Sequence, residues 1–284
     1  MKLYYCECPD AENNAGDIFT PWLLDKMGLV WRYSLNPDLC STGSILAHPP
    51  CKNAKIWGSG FHNEDEEIVQ TDISKYYAVR GRLSYQKLGT DKKIAIGDTG
   101  ILASKYYDAS NVRKKYRFGI IPHYVDYAFF QQFETENVHV INIVTPDLDN
   151  LFREINECEF IFSSSLHGII FSHSFLLPAF HIEHGQLVSV DAFKFRDYYS
   201  SFGLPYERKI IADEQDFRML DMESYYDRYQ RKEYVFCPTK EQVKRMQHDL
   251  LACFPYRGFP WIHNAIFAFK QKGKKAYNRL RSRK

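Results

Sequence analysis

Short apolar segments that end in a glycine or a polar turn alternate with segments of helical spacing along most of this chain. AKIWGSG (54–60), KYYAVRG (75–81) and FIFSS (160–164) have the length and composition of buried strands. Between such segments lie stretches like IFTPWLLDKMG (18–28) and LHGIIFSHSF (166–175), in which apolar residues recur at helical spacing. Strands that alternate with helices predict an α/β fold with a mostly parallel sheet and helices on its faces.

One polar segment interrupts this alternation and predicts two domains. ASNVRKKY (109–116) has the basic, polar composition of a linker, and the alternation restarts after it with FGIIPHYVDY (118–127). We therefore expect two Rossmann-like domains that face a cleft, over residues 1–112 and 113–255. An aromatic and basic segment over residues 256–284 follows them.

Composition and charge exclude several classes of protein. The seven cysteines include no CxxC pair, so a zinc ribbon or a redox motif is not expected, and reduced thiols in a cytoplasmic protein are the preferred interpretation. The first residues do not resemble a signal peptide, and no apolar run reaches membrane-spanning length. Residues 270–284 contain eight Lys or Arg, whereas the remainder has 29 basic and 35 acidic residues, a balance of about −6. The body therefore does not offer a nucleic-acid-binding surface.

The segment FSSSLHGIIFSHS (162–174) places polar side chains where a predicted strand passes into a predicted helix. In open parallel sheets ligands bind outside the carboxyl ends of the strands, and a helix N-terminus there favours an anion. Serine hydroxyls add donors, and Gly168 allows close approach of a ligand to the backbone. His167 can donate a proton or bind an anion when charged. A serine-rich helix cap with one satisfied histidine is the alternative interpretation.

Other predicted strand ends carry polar or cationic residues as well. Taken singly, a glycine there is more often a turn and an arginine more often a surface residue. Together these residues should converge at one edge of the sheets, which favours an anion-binding catalytic cleft. The further candidates are Asn14, Gly16, Asp17, Gly58, Ser59, Gly60, Arg80, His123, Lys194 and Arg196.

The motifs NNAGD, WGSGF, AVRGRLSYQKLG, IAIGDTGILAS, GIIPHYVD and SSSLHGIIFSHSFLLPAFHIE resemble, in this order, those of the polysaccharide pyruvyl transferases, over about residues 12–203. This resemblance implies a two-domain fold like that of GT-B glycosyltransferases. It also implies transfer of pyruvate from phosphoenolpyruvate onto a sugar diol as a cyclic ketal, with release of phosphate. Bacterial members of the family modify capsule, exopolysaccharide or cell-wall sugars, often on a lipid carrier.

The resemblance also implies roles for individual residues. His167 with Ser164, Ser165, Leu166 and Gly168 matches the donor-site motif of the second domain, although some relatives have arginine at the position of Ser165. Arg80, which lies in a matched motif, is then the first candidate to hold the phosphate, before Lys194 and Arg196. His123 matches a Pro-His position, and the loop with Asn14 and Asp17 matches a motif that we assign to the acceptor, on the side of the first domain.

A ketal-forming mechanism gives the titratable residues their expected chemistry. His167 or His123 would protonate C3 of the enol, for which an imidazole pKa near the working pH is suited, and Asp17 would act as base toward the sugar hydroxyl. No step demands a metal or a cofactor beyond the donor substrate. HIEH (181–184) contains metal-ligating residue types, but in a strand His181 and Glu183 share a face and His184 points away, so we regard it as coincidental.

The segment over residues 256–284 joins aromatic residues to a cationic end, as in segments that rest on an anionic membrane surface. A C-terminal helix over Trp261–Phe269 that packs on the body, followed by a basic end, is the alternative. Membrane contact would suit an acceptor sugar carried on polyprenyl diphosphate. The alternatives to a pyruvyl transferase are a nucleotide-sugar glycosyltransferase of the same fold and a nucleic-acid-binding protein that uses the basic end.

Overall fold

The computed structural model describes residues 1–7, 11–185, 192–233 and 236–256, and it contains two open β-sheets. In the described residues every strand pair of both sheets is parallel. The first sheet has the order β2-β1-β3-β4-β5-β6. Its strands are β1 (Lys2–Tyr4), β2 (Arg32–Tyr33), β3 (Leu39–Cys40), β4 (Lys55–Ser59), β5 (Tyr76–Val79) and β6 (Ala95–Ile96).

The second sheet has five strands in the order β8-β7-β9-β10-β11. β7 pairs with β8 on one side and with β9 on the other, so that backbone groups on both of its edges are satisfied. The strands are β7 (Tyr116–Ile121), β8 (Val138–Val140), β9 (Cys158–Ser163), β10 (Ala179–His184) and β11 (Arg208–Ile211).

Five of the ten described α-helices begin at a side chain that caps the first turn. Asn14 caps the first helix, Asp147 the fifth, and Thr239 forms a capping box with Gln242 at the last one. The described helices are α1 (Ala15–Lys26), α2 (Arg82–Lys87), α3 (Ala103–Tyr106), α4 (Tyr127–Gln131), α5 (Leu148–Glu157), α6 (Leu166–Ser174), α7 (Phe193–Phe202), α8 (Glu214–Arg218), α9 (Met222–Gln230) and α10 (Lys240–Ala252).

Both sheets share one feature of strand order. In each sheet the first strand lies between the second and the third, so the order reverses beside the first strand. Such a reversal is the point at which the loops after neighbouring strands diverge and leave a crevice for a ligand. The first sheet therefore has a switch point between β1 and β3, and the second has one between β7 and β9. The predicted α/β fold with parallel sheets is confirmed, while the GT-B arrangement stays a prediction.

The helices and both sheets enclose a shared hydrophobic core. One cluster of buried residues includes Leu3 and Trp57 of the first sheet together with Phe118 and Phe162 of the second. Phe19 of α1 packs against Phe171 of α6, and their ring centroids are 5.2 Å apart. The N-terminal ends of α1 and α6 are thereby held beside each other by packing, which determines where their first turns point.

The last described helix packs on the first sheet, although it follows the second in sequence. The indole Nε1 of Trp57 donates to the carbonyl of Leu250 at 2.9 Å, and its ring contacts Phe254 at a centroid distance of 4.6 Å. Gly97 adopts a φ of +156° beneath Met246, where a Cβ would lie 2.6 Å from the Met246 side chain. The boundaries at 112 and 255 remain a prediction, and α10 contacts the part of the chain assigned to the first domain.

Several predictions fall outside the described residues or differ from the structure in extent. Residues 257–284, with the predicted membrane-contact segment, are not among those that the structure describes. No helix within the described ranges combines the length and the apolar character needed to cross a bilayer. The IAIGDTGILAS motif contributes only the two-residue strand β6, since the chain turns at Gly97 and Asp98 then caps the following turn. Six of the seven cysteines are described, and these six are free thiols.

Candidate active site

The carboxyl ends of the strands at both switch points open into one cavity of about 260 Å³, which we call the central cavity. The loops after β1 and β3 form one side of it, and the loops after β7 and β9 form the other. The residues that line it are Cys6, Asn14, Asp17, Gly43, Ser44, Ile45, His48, His62, His123, Tyr124, Ser165, Leu166, His167 and Lys194. The structure therefore brings together seven of the residues predicted from sequence, from both halves of the chain.

The first turns of α1 and α6 meet at this cavity. A Cβ on Gly16 would lie 2.1 Å from Nδ1 of His167, so only glycine allows the imidazole to lie against the α1 backbone. The amide of Ala15 donates to the carbonyl of Ile143 at 2.9 Å, which ties the start of α1 to the loop after β8. Asn14 caps α1 by accepting from the Gly16 amide at 3.0 Å. Gly16 and Asn14 thus shape the site by positioning His167 and α1.

The loop between β9 and α6 is built on serine hydroxyls. Ser163 donates to the carbonyl of Ile121 at 2.6 Å and accepts from the amide of Ser165 at 3.0 Å. Ser164 accepts from the amide of His123 at 2.7 Å, which fixes the loop after β7 relative to the loop after β9. Gly168 packs over Ser163, whose Oγ would be 2.3 Å from a Cβ at that position. Gly168 therefore serves helix packing here, where the sequence suggested ligand approach.

Two imidazole nitrogens at the cavity are buried without a hydrogen-bond partner among the described residues. They are Nε2 of His167 and Nδ1 of His123. Burial lowers the pKa of His167 to about 3, and the charges of Arg80 and Lys194 act in the same direction. Burial and the charge of Lys194 also lower the pKa of His123 to about 4. Both imidazoles are therefore neutral in the free site at pH 7, so the expected pKa near the working pH is wrong for the free protein.

Lys194 and Asp17 complete the charged groups that line the central cavity. Lys194 lies in the first turn of α7, and burial together with the charge of Arg80 lowers its pKa to about 8. Burial raises the pKa of Asp17 to about 7, while Lys194 opposes that shift. Both groups can therefore change protonation near neutral pH, which is the property required of groups that exchange protons with a substrate.

Arg80, the first candidate for the phosphate contact, lies behind the cavity and is fully buried. Its Nε donates to Oδ2 of Asp197 at 3.0 Å and its Nη1 to Oγ of Ser44 at 2.7 Å, while Nη2 donates to the carbonyl of Phe61. Asp197 also accepts from the amide and the hydroxyl of Ser84 at 2.8 and 2.6 Å. All three guanidinium nitrogens are thus bonded within the protein, and Arg80 is not on the wall that a ligand would touch.

The remaining predicted residues lie at the end of β4, directly after it, or on α7. Gly58 has a φ of +90° beside Thr99, Ser59 donates to the carbonyl of Gly43 at 2.8 Å, and Gly60 packs beneath the guanidinium of Arg80. Of these three residues only Gly60 lies against the Arg80 side chain, and none of them lines the central cavity. Arg196 is part-exposed, with its Nη2 3.6 Å from a carboxylate oxygen of Glu64.

The HIEH segment is divided between two faces of β10, as the strand period requires. His181 is buried, and its Nδ1 is hydrogen-bonded to the Tyr206 hydroxyl at 2.7 Å. Its ring stacks on Phe195 at a centroid distance of 3.6 Å. His184 instead stacks on Phe129. Within the described ranges no three His, Cys, Asp or Glu side chains converge as metal ligands would.

The sequence did not single out several residues of the cavity wall. His62 lies two residues after the WGSG segment at the end of β4, and Tyr124 directly follows His123, so the position after a strand end was an available signal for both. Ser44 and His48 follow β3, whose two residues are too few to give a recognisable pattern. Their contribution becomes visible only when β3 is paired between β1 and β4.

Comparisons by sequence relate the chain to one family of known proteins. A sequence model of the family described as polysaccharide pyruvyl transferase matches residues 29–186. The chain is 34% identical over 208 residues to uncharacterized protein L143 of Acanthamoeba polyphaga mimivirus, covering 67% of this chain and 71% of that protein. It is 24% identical over 259 residues to the succinoglycan biosynthesis protein ExoV of Rhizobium meliloti (strain 1021), covering 88% and 79%. No solved structure matches significantly.

The family match covers more than half of the chain and includes the ends of β3, β4, β5, β7 and β9, from which much of the central cavity is built. The resemblance inferred from the motifs is therefore confirmed. The chain belongs to the polysaccharide pyruvyl transferase family and is a transferase.

Proposed function

We propose that this enzyme transfers pyruvate from phosphoenolpyruvate onto two hydroxyls of a sugar as a cyclic ketal and releases phosphate. The observation that carries the proposal is the central cavity, where two switch points bring unpartnered imidazoles and Lys194 together. A role in exopolysaccharide or capsule biosynthesis is supported by the similarity to ExoV, which is named for succinoglycan biosynthesis. The enzyme would act in the cytoplasm.

Phosphoenolpyruvate carries a phosphate and a carboxylate close together, so its site must offer several donors in a small volume. Lys194 supplies a cation that lines the cavity, and the first turn of α6 supplies amides that have no partner within the helix. The Ser165 hydroxyl adds a short donor beside them. Arg80 contributes its positive charge from behind the wall, without direct contact.

Binding of this donor would change the protonation of the histidines. The charges of Arg80 and Lys194 hold the imidazoles neutral in the free site, and a dianion placed between them reverses the sign of the local field. His167 or His123 then takes up a proton and passes it to C3 of the enol. Protonation of C3 breaks the C2–C3 double bond and leaves oxocarbenium character at C2, which a sugar hydroxyl oxygen can attack.

Proton balance then requires a base for the sugar hydroxyls. Asp17 lines the cavity and, when ionised, takes the proton of the first hydroxyl as its oxygen bonds to C2. The C2–O bond to phosphate then breaks, and phosphate leaves with the proton that Asp17 took up. The second hydroxyl oxygen then bonds to C2 while its proton passes to the neutral imidazole, which restores the imidazolium. The net reaction converts phosphoenolpyruvate and a diol into a ketal and phosphate, without an oxidant or a further cofactor.

The acceptor is proposed to be a saccharide linked to polyprenyl diphosphate, with the segment over residues 256–284 in contact with the membrane surface. The basic residues of this segment provide the charge for such contact, each contributing about 1 kcal/mol near an anionic surface. Co-sedimentation with anionic vesicles, with and without residues 270–284, tests this part of the proposal separately from the chemistry.

The chemistry is tested by incubating the protein with phosphoenolpyruvate and lipid-linked saccharides, and by measuring released phosphate and the mass of the acceptor. We expect phosphate release in step with a mass gain of one pyruvate minus one water. Phosphate release without that gain, or no use of phosphoenolpyruvate together with inhibition by a nucleoside diphosphate, would contradict the proposal. The second outcome would favour a nucleotide-sugar glycosyltransferase.

A further inference from the structure

A second cavity of about 260 Å³, which we call the side cavity, adjoins the central cavity. The two share His62, His123, Tyr124 and Lys194 as a common wall. Any molecule in the side cavity would therefore lie next to the imidazole and the ammonium proposed to act on the donor. Its volume is below the range of about 300–1,000 Å³ typical of pockets for drug-sized ligands, which suits a single sugar ring.

The charges on the far wall of the side cavity differ from those of the central cavity. Asp126 and Glu183 line it, and both are only 5% exposed. Glu183 forms an ion pair with Arg208 at 2.5 Å, whereas Asp126 accepts from the Ser164 hydroxyl at 3.4 Å, a long hydrogen bond. Two carboxylates beside one lysine disfavour a dianion, but carboxylate oxygens are good acceptors for sugar hydroxyls.

The aromatic part of the wall is held rigidly. Phe193 and Phe195 line the side cavity, and both are almost fully buried. Phe195 is fixed by stacking on His181 at a centroid distance of 3.6 Å. A rigid ring next to hydrogen-bond acceptors matches a sugar, which has an apolar C–H face and hydroxyls at its rim.

We propose that the side cavity is the subsite for the acceptor, a neutral pyranose that carries the diol. This inference rests on the proposed function, because it assumes that the donor occupies the central cavity. The sugar packs its ring against Phe193 and Phe195 and directs hydroxyls to Asp126. Its diol points toward His123 and Lys194, which border both cavities. The donor dianion is kept in the central cavity by the carboxylates opposite.

A third cavity, lined in part by Glu7, Glu12 and Asp17, is the rival location for the acceptor. It corresponds to the loop around Asn14 that the sequence assigned to the acceptor. Among the described residues it shares Cys6 and Asp17 with the central cavity, whereas the side cavity shares four wall residues with it. The two locations can be distinguished by a bulky substitution in each cavity. Each has an exposed residue on its wall: Asn63 in the side cavity and Glu12 in the third.

The test compares Asn63→Trp with Glu12→Trp in the full chain, using methyl β-D-galactopyranoside and methyl β-D-glucopyranoside as neutral probes. Binding of the probes to the phosphoenolpyruvate-loaded protein is measured by saturation-transfer NMR. We expect Asn63→Trp to weaken probe binding at least about tenfold and Glu12→Trp to leave it within about twofold. Loss in Glu12→Trp alone, equal binding in both, absence of binding to the unmodified protein, or displacement by UDP would overturn the inference.

A second variant removes charge without blocking the cavity. Asp126→Asn should weaken probe binding about tenfold, equivalent to about 1.4 kcal/mol, and Glu12→Gln should not. Affinity for phosphoenolpyruvate, measured by calorimetry, should stay within about twofold in Asn63→Trp, Glu12→Trp and Glu12→Gln. Failure of the unmodified protein to bind phosphoenolpyruvate would count against the proposed function itself. Normal donor binding with unchanged probe binding in Asp126→Asn and Asn63→Trp would count against the acceptor subsite alone.

Discussion

Two polar clusters lie side by side at the carboxyl ends of the strands, and they differ in how far their hydrogen bonds are satisfied. In the first, which we call the arginine cluster, Arg80 is bonded at every nitrogen to Asp197, Ser44 and Phe61. In the second, the imidazole cluster, His167 and His123 each keep a buried nitrogen without a partner in the described chain. Both clusters are rich in charge or hydrogen-bonding groups, yet Arg80 and Asp197 do not line the central cavity, whereas His167 and His123 do.

This difference separates a structural role from a functional one. A buried polar group that is fully bonded gains nothing from a ligand, whereas an unpartnered buried nitrogen is costly unless a ligand completes it. The arginine cluster joins the end of β5 to α7, because Arg80 and Asp197 come from the two halves of the chain. Lys194 lies one turn before Asp197 on α7, so this pair also holds the lysine in place.

The largest expected effect comes from His167→Ala in the imidazole cluster. Loss of the proposed proton donor should lower kcat for phosphate release by about 10²–10⁴-fold, the usual contribution of general acid–base catalysis. The denaturation midpoint should change little, because the buried Nε2 makes no hydrogen bond with the described residues that the substitution would break. His248→Ala, at an exposed histidine of α10, is the control and should keep full activity. Full activity of His167→Ala would contradict the functional role assigned to the imidazole cluster.

Substitutions in the arginine cluster should lower the stability of the protein. Arg80→Ala leaves the fully buried Asp197 carboxylate without its cation, so urea denaturation should show a loss of about 3–5 kcal/mol in the free energy of unfolding. Arg82→Ala, at an exposed arginine two residues on, should cost about 0.5 kcal/mol. A stable Arg80→Ala protein that had lost only its affinity for phosphoenolpyruvate would make Arg80 a direct phosphate ligand, as the sequence alone suggested.

Lys194 stands between the clusters, and its replacement measures direct contact with the donor. Lys194→Gln should weaken phosphoenolpyruvate binding about 10- to 150-fold, because a hydrogen bond to a charged group is worth about 1.5–3 kcal/mol. Lys209→Gln, at an exposed lysine of β11, is the matched control and should bind normally. Calorimetry gives both affinities, and equal values for the two variants would exclude Lys194 from the donor site.

The smallest effect is a change in protonation on donor binding. In the free site the pKa values of His167 and His123 are lowered to about 3 and 4, that of Asp17 is raised to about 7, and that of Lys194 is lowered to about 8. A bound dianion raises all four pKa values, so the complex holds more protons and donor affinity falls as pH rises from 7 to 8.5. Calorimetry in two buffers of different ionisation enthalpy should show net proton uptake. Net release would contradict this electrostatic account.

Local sequence patterns predicted much of the fold because runs of apolar residues reflect which residues are buried. The strands ending in WGSG, VRG, IPHY and FSSS, and the helix after the last of them, follow from apolar runs bounded by glycine, proline or serine. The two-residue strands β2 and β3 and the helix α7 escaped prediction. The short strands exist only because neighbouring strands pair with them, and α7 is an aromatic-rich helix stabilised by tertiary packing.

The site was predictable in location but less so in detail. Because parallel strands end at a common edge, the sequence indicated that His167, His123, Asp17 and Lys194 would meet. It could not show that Arg80 is already bonded, since its partner lies 117 residues away. The direction of the imidazole pKa shifts was equally hidden, because burial and distant charges set it. Sequence therefore supplies the residues of a site, and packing decides which of them face the ligand.

The most direct test of the central claim is the protonation state of the two histidines with and without donor. Nitrogen-15 NMR of histidine-labelled protein at pH 7.5 should show neutral imidazoles for His167 and His123, assigned by the loss of each signal in His167→Ala and His123→Ala. Saturation with phosphoenolpyruvate should shift at least one of these signals to the imidazolium position. Signals that remain at the neutral position in the saturated protein would show that these imidazoles are not the groups that meet the donor.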